Sequence, residues 1–342
     1  MYAILKKTEE GSSLRAMVIR RFGGPDVFEE MTQSRPTVTP NSVLIRVAAT
    51  SVNPIDTKIR AGAVPHLAPP FPAILHEDVA GVVEEVGEGV THLQVGDEVY
   101  ACTRNGALAD YLLVPAASVT QKPPSLSFEE AAALPLVTLT AWEALFDRLN
   151  LQAGQRILIH GGTGGVGHVA VQLAKAAGAV VHTTVSTSEK AQIAKELGAD
   201  AVINYREETV DEYVNKYTDG AGFDLVFDTV GGENLDRSFA AVKTGGSVAA
   251  IAARSTHDLT PLHNKGLTLH VIFLMLPLLS GKGLERHGQV LHKLVPLVEQ
   301  GQVKPLLDGT SYTFRDVAQA HQRLASGQAL GKITLTNERF HA

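Results

Sequence analysis

The chain has one cysteine, Cys102, in 342 residues, so it carries neither an internal disulfide framework nor a cysteine-rich zinc lobe. A lone cysteine suits a reducing cytosol. Excess charge is also missing. Lys and Arg number 30 against 36 Asp and Glu, a net −6 that leaves no basic footprint for nucleic acid. Long hydrophobic runs are absent too. The longest, residues 269–279, is broken by His270 and Pro277 and falls short of the ~20 residues a bilayer helix needs. Residues 1–14 have no apolar core and so do not read as a secretory signal. The expectation is a soluble, cytoplasmic protein with no membrane or nucleic-acid partner.

What is present organises around Arg156-Ile-Leu-Ile-His-Gly-Gly-Thr-Gly-Gly-Val-Gly-His168. Ile157 to Ile159 form a short apolar run, and Gly162, Gly164 and Gly167 follow it as G-x-G-x-x-G. Behind them Val166, Val169, Ala170, Leu173, Ala174 and Ala177 recur at helical spacing along one face. Strand, glycine turn and helix together are the context a dinucleotide fingerprint requires. The glycines let backbone approach a pyrophosphate, and the helix start offers N–H groups to it. A P-loop is excluded, because His168 and Val169 stand where Lys and Ser or Thr are needed.

Upstream, short apolar runs near residues 16–19, 43–48, 80–86, 98–101 and 110–114 are separated by Gly, Pro and Asp turns, the pattern of a small barrel or sandwich. Ser127-Phe-Glu-Glu130 is a capping box opening a helix, and a second helix is expected over residues 138–150. From 156 onward strands and helices alternate, with strands at 180–185, 201–203, 223–228, 247–251 and 269–273. That alternation implies a parallel, doubly wound sheet. Ser186-Thr-Ser-Glu189 reads as another capping box. The tail holds helices near 288–299 and 315–326 and a strand at 332–336, expected to return to the first domain.

An NAD site has Asp or Glu at the end of the second strand to hold the ribose hydroxyls. Here that end reads Val185-Ser-Thr-Ser-Glu-Lys190, and its one acid, Glu189, falls inside the capping box. Ser186, Thr187 and Lys190 offer hydroxyls and a cation where a 2′-phosphate would lie. Capping the helix is the alternative role for the same hydroxyls.

His160 to Gly167, Ile203-Asn-Tyr-Arg206, Asp228-Thr-Val-Gly231 and Gly331-Lys332 occur in an order that resembles the zinc-independent, zeta-crystallin-like quinone oxidoreductases of the medium-chain dehydrogenase/reductase superfamily. Residues 80–90 and 95–100 resemble its GroES-like catalytic domain, while residues 51–56 and 134–141 resemble the segments lining its active site. The resemblance runs from about Leu14 onward. It implies a GroES-like β-barrel domain over residues 1–136, rejoined by 277–342, and a Rossmann NADPH-binding domain over 137–276.

The resemblance implies cofactor contacts at Gly165 and Val166 for the pyrophosphate, and at Ser186, Thr187, Lys190 and Tyr205 around the 2′-phosphate. Val230, Ile251, Phe273 and Lys332 match later contacts. The implied reaction is NADPH-dependent hydride transfer to a quinone or α,β-unsaturated carbonyl, by a protein expected to be a homodimer. Charge developing on the substrate oxygen needs hydrogen-bond donors where no metal is present. Asn53 is the first candidate, followed by Lys58 and His76, and the sequence offers no obvious dedicated acid. Many relatives carry Tyr where Lys58 stands.

His76-Glu77 resembles the His-Glu pair of zinc alcohol dehydrogenases, but Asn53 replaces their first cysteine and residues 134–136 hold no second one. Catalytic zinc wants three protein ligands, so no metal is expected. A zinc-dependent alcohol dehydrogenase is one alternative. The other is an NADPH-binding protein with a crystallin-like or RNA-binding role.

Overall fold

The computed structural model describes residues 13–340. Residues 1–12, which hold most of the stretch tested for a secretory signal, lie outside the described residues.

Ser42–Val52 is the central strand of the first unit. Alternate side chains of a strand share a face, and Val43, Ile45 and Val47 enter one core with Val79, Val83, Val99, Ile333 and Leu335. The strand pairs antiparallel with Asp78–Val86, Tyr111–Pro115 and Ile333–Thr336. Glu98–Cys102 and Thr120–Gln121 extend the sheet on one side, and Tyr312–Thr313 forms its other edge. A three-stranded sheet of Phe28–Ser34, Ser13–Ile19 and Ala73–Ile74 is tied to it by a bridge between Ala16 and Ala109. This is the GroES-like barrel.

The second unit is a six-stranded sheet, parallel throughout. Its order is Ala201–Asn204, Val180–Val185, Arg156–His160, Phe223–Asp228, Val242–Ala250, Thr268–Val271. Numbered along the chain, that order is 3-2-1-4-5-6, the dinucleotide-binding arrangement, with its reversal beside the fingerprint strand. On helix Gly165–Ala176 the stripe Val169, Ala170, Leu173 and Ala174 is buried, as its spacing predicts.

Three of the elements that differ from expectation bear on the site. The helix expected over 138–150 is Pro135–Trp142, continued by a π-helical turn over Glu143–Arg148 in which Leu149 N–H reaches Ala144 O at 2.9 Å. The tail helix starts earlier, as Leu284–Glu299, with Gly288 inside it. A Cβ on Gly288 would lie 2.3 Å from the Ala117 carbonyl oxygen, so the glycine lets this helix press against the barrel. There Tyr100 donates its hydroxyl to Leu291 O at 2.7 Å. Leu291 and Leu294 join a core shared with Leu139 and Val169, so the tail helix holds both units together. Each such leucine contributes roughly 2 kcal/mol by burial. The third difference is a helix cap beside the cofactor site, described below.

Candidate active site

Fingerprint strand Arg156–His160 ends in a turn whose tightness explains its glycines. A Cβ on Gly162 would lie 2.1 Å from Thr183 Oγ1, and one on Gly167 would lie 2.0 Å from Gly161 O. Gly164 caps helix Gly165–Ala176, and Gly165, Val166 and Gly167 form its first turn. N–H groups of a first turn have no partner within their helix. They present donors and partial positive charge to an anion, so a pyrophosphate fits.

The far end of the cofactor site lies where strands Val180–Val185 and Ala201–Asn204 finish. The cap here is Thr187 rather than Ser186: its hydroxyl accepts from Lys190 N at 3.2 Å and the helix is Ser188–Glu196. Glu189 therefore takes the second helical position, and the expected box does not form. Ser186, half-buried, directly follows the strand and stays outside the cap. Tyr205 donates its backbone N–H to Val185 O at 3.2 Å, which brings its 47% exposed side chain to the same strand end.

Nearer the switch point, buried Asp228 organises the next turn. Its Oδ1 accepts from Val230 N at 2.8 Å and Gly231 N at 2.9 Å, leaving the Val230 side chain exposed. Ile251 donates its N–H to Asp228 O at 3.2 Å. Phe273 packs against the cores of both units and so sits at their seam. Ser186, Thr187, Lys190, Tyr205, Val230, Ile251 and Phe273 thus follow the carboxyl ends of strands, where ligands of open parallel sheets bind.

The chain's return supplies the remaining part. Gly331 donates its N–H to Thr163 O at 2.9 Å, tying the last strand to the glycine turn. A Cβ on Gly165 would lie 3.5 Å from Lys332 Cδ and 3.7 Å from Val137 Cγ1, so Lys332 passes directly over the helix start. Its ammonium then enters the barrel, donating to Asn53 Oδ1 and, at 3.2 Å, to Asp78 Oδ2. Asp78 is fully buried and also accepts from Ser51 Oγ at 2.6 Å, Asn53 Nδ2 at 2.8 Å and Leu136 N at 2.7 Å. One carboxylate therefore joins three segments: the barrel strand, the active-site helix start and the crossing helix.

Asn53 opens helix Pro54–Arg60 in a capping box with Asp56, whose Oδ2 accepts Asn53 N–H at 2.7 Å. Asp56 also accepts His76 N–H at 3.2 Å. Burial pushes the Asp56 carboxyl up to about 7. Burial and then Asp56 itself push the Glu77 carboxyl well above the usual range.

Asn53 and Lys332 thus meet, while the other two sequence candidates stand apart from their bonds. Lys58 is exposed near the end of the helix. His76 has φ +71°, and its ring is turned into the barrel with Nε2 3.0 Å from His321 Nε2. Burial, His321 and Lys332 hold its imidazole far below ordinary basicity.

Sequence reasoning missed Asp56, Asp78, Ser51 and His321. A signal for the first two was present: acids within Asn53-Pro-Ile-Asp56 and His76-Glu-Asp78, each on a segment already singled out.

A catalytic zinc does not fit this donor set. An ammonium already lies between Asn53 and Asp78. Among the described residues, no group of three or more His, Cys, Asp or Glu is arranged to hold a metal ion.

The chain matches known families on both units. Residues 39–124 match the alcohol dehydrogenase GroES-like domain, and residues 165–280 match the family described as zinc-binding dehydrogenase. A 2-methylene-furan-3-one reductase of Solanum lycopersicum is 36% identical over 95% of this chain and 79% of its own length. A chloroplastic NADPH-dependent alkenal/one oxidoreductase of Arabidopsis thaliana is 35% identical over 94% and 79%. The Escherichia coli quinone oxidoreductase, solved in complex with NADPH, superposes with a TM-score of 0.83 at 30% identity, covering 94% of this chain and 99% of that one. With barrel, parallel sheet and glycine turn in the same arrangement, the chain belongs to the zeta-crystallin-like quinone oxidoreductase family of the medium-chain dehydrogenases/reductases.

Proposed function

We propose that this protein is an NADPH-dependent, metal-free reductase of α,β-unsaturated carbonyls or quinones. The observation that carries the reading is the junction at Lys332. There the glycine turn of the parallel sheet meets the Asn53–Asp78 cluster of the barrel, with the Lys332 ammonium bonded to both residues. The catalytic unit is taken as residues 1–136 with 277–342, and the cofactor unit as 137–276.

Bound NADPH supplies the hydride. Gly162, Gly164, Gly165, Val166 and Gly167 receive the pyrophosphate on backbone donors. Ser186, Thr187, Lys190 and Tyr205 surround the 2′-phosphate, and Val230, Ile251 and Phe273 shape the nicotinamide half. Lys332 sets the distance between helix start and barrel. Asn53 has both ends of its amide engaged, by Asp78 and Lys332, and acts as a positioning group. Lys58 lies five residues further along the helix, about 7.5 Å along its axis. With its ammonium exposed, it is the donor for the developing oxyanion. His76 acts through its backbone, since its ring faces His321.

The protein is further proposed to be cytoplasmic and homodimeric. Strand Thr268–Val271 forms one edge of the parallel sheet, and Val271 and Leu276 are exposed beside it at 54% and 61%. Unpaired strand edges of this kind invite a partner strand, and a monomer by light scattering would overturn the dimer.

NADPH oxidation measured against enals, enones and quinones, with elemental analysis and a chelator control, tests the reading. Turnover that survives chelation in zinc-free protein is expected. Chelator-sensitive alcohol oxidation with one bound zinc per chain would refute it.

A further inference from the structure

Beyond strand Val242–Ala250 the chain forms an exposed loop that hydride transfer leaves unused. Two short contacts run in series there. Ser255 Oγ lies 2.5 Å from His257 Nε2, and His257 Nδ1 lies 2.9 Å from Asp236 Oδ1. A carboxylate only accepts, so the Nδ1 facing Asp236 carries the ring proton, and Nε2 presents its lone pair to the serine hydroxyl. A nucleophile, a base and a third group that orients the base make an activated hydroxyl, a constellation recognised by geometry on unrelated folds.

We propose that Ser255, His257 and Asp236 form a second catalytic site, which cleaves small carboxylic esters bearing no negative charge.

The surroundings hold these parts in place. At one end of the loop Ile251 donates its N–H to Asp228 O at 3.2 Å, and at the other Asp258 Oδ1 accepts Thr260 N–H at 2.9 Å. The fully buried Phe239 meets the His257 ring edge-on, with centroids 6.3 Å apart. The imidazole is thus shielded, its side chain 8% exposed, while Ser255 itself is open to solvent. Asp236 comes from helix Asn234–Ala241, so the base is fixed between two elements. The backbone N–H groups of Ser255 and Thr256 donate to no acceptor among the described residues, which leaves them for an oxyanion. The N–H that follows the nucleophile has this role in other serine hydrolases.

A place for the ester adjoins the three residues. Asp258 follows His257 directly, and Ala240 lies one helical turn beyond Asp236 on the same face. Both line a surface cleft of about 650 Å³. Val214, Ala240 and Pro261 give it apolar surface for a short acyl group, while Asp211 and Asp258 disfavour anions. Its lysine, Lys265, is engaged by the carbonyls of Phe239, Ala240 and Val242 at 2.7–3.0 Å.

The step balances without a further reactant. Ser255 Oγ bonds to the acyl carbon as its proton passes to His257 Nε2, and the carbonyl electrons move onto oxygen. The carbon–oxygen bond to the alcohol then breaks, and the alcohol leaves with that proton. Water attacks the acyl-serine, giving its proton to His257 and then to Ser255 as the acid departs. Asp236 touches no reacting atom and is a positioning residue.

The test uses the full chain without NADPH, so its outcome is independent of the proposed reductase activity. A fluorophosphonate, which phosphonylates an activated serine and releases fluoride, should add once per wild-type chain, at Ser255 by peptide mass mapping. p-Nitrophenyl acetate should be hydrolysed catalytically. Ser255→Ala should lose both reactions with an unchanged circular dichroism spectrum, because the side chain is exposed. His257→Gln should slow labelling at least about a hundredfold. Asp236→Asn should slow it more than about tenfold, and Asp236→Glu should restore most of the rate. A wild type that is not labelled, or is labelled at another residue, would overturn the proposal. So would ester hydrolysis surviving in Ser255→Ala, or labelling of His257→Gln at the wild-type rate.

Discussion

Replacing Lys332 by Met removes the one cation from the buried cluster while keeping most of the side-chain volume. Its side chain is 3% exposed and that of Asp78 is fully buried, so water does not compensate the loss. Asp78 retains its bonds from Ser51, Asn53 and Leu136, but its charge is left unopposed. Breaking a buried ion pair from one side costs about 3–5 kcal/mol. Unfolding entropy of roughly 2.1 cal/mol/K per residue gives about 0.7 kcal/mol/K for a chain of this length melting as one unit. Lys332→Met should therefore lower Tm by about 4–7 °C.

The same reasoning fixes the double variant. Asp78→Asn combined with Lys332→Met has no buried charge at this pair and should recover at least half of the loss, a coupling visible in a double-mutant cycle. Thermal melts of the four proteins at pH 7, followed by circular dichroism, supply the numbers. A Tm within about 1 °C of wild type for Lys332→Met would refute the argument. Additive losses in the double variant would also refute it, since they would mean that the two residues act independently.

Gly167→Ala would place a methyl 2.0 Å from Gly161 O and 3.0 Å from Gly162 Cα, both backbone atoms that cannot step aside. A titration by cofactor fluorescence should show at least about a tenfold loss of NADPH affinity with the fold intact by circular dichroism. Lys190→Ala should weaken NADPH by about 10–100-fold, the worth of a charge-assisted bond, and leave NADH nearly unchanged; equal losses for both cofactors would mean that Lys190 does not touch the 2′-phosphate. His160, His168 and His287 are held down to about 4, and His321 to about 3, chiefly by burial. At these four histidines the unfolded chain binds more protons than the folded one between about pH 4 and 6.5, so they make stability fall as pH falls, and they outnumber Asp56 and Glu77, whose raised carboxyls act in the opposite sense. Urea midpoints measured from pH 7 to pH 4 should decline, and a flat profile would show that these rings are solvated.

The sequence by itself determined the features that depend on neighbours in the chain. A strand, a glycine turn and a helical stripe between Arg156 and Ala177 made the nucleotide-binding unit legible, because each feature repeats with the period of its own element. Ser127 and Glu130 cap each other across one turn, and that box was legible for the same reason. The Ser186 box failed because three hydroxyl residues in a row offer alternative caps, and packing selected Thr187. His76, a candidate donor from the sequence, stands at positive φ between two strands, and its ring meets His321, which no local pattern announces.

What only the tertiary structure decided are meetings between distant residues: Lys332 with Asp78 across 254 positions and His76 with His321 across 245. The physical reason is that charge and protonation inside a site follow from what burial brings together. Neither residue type nor spacing along the chain carries that information. The sequence marked the segments that form the site, and the fold decided that one lysine and three acids would share its interior.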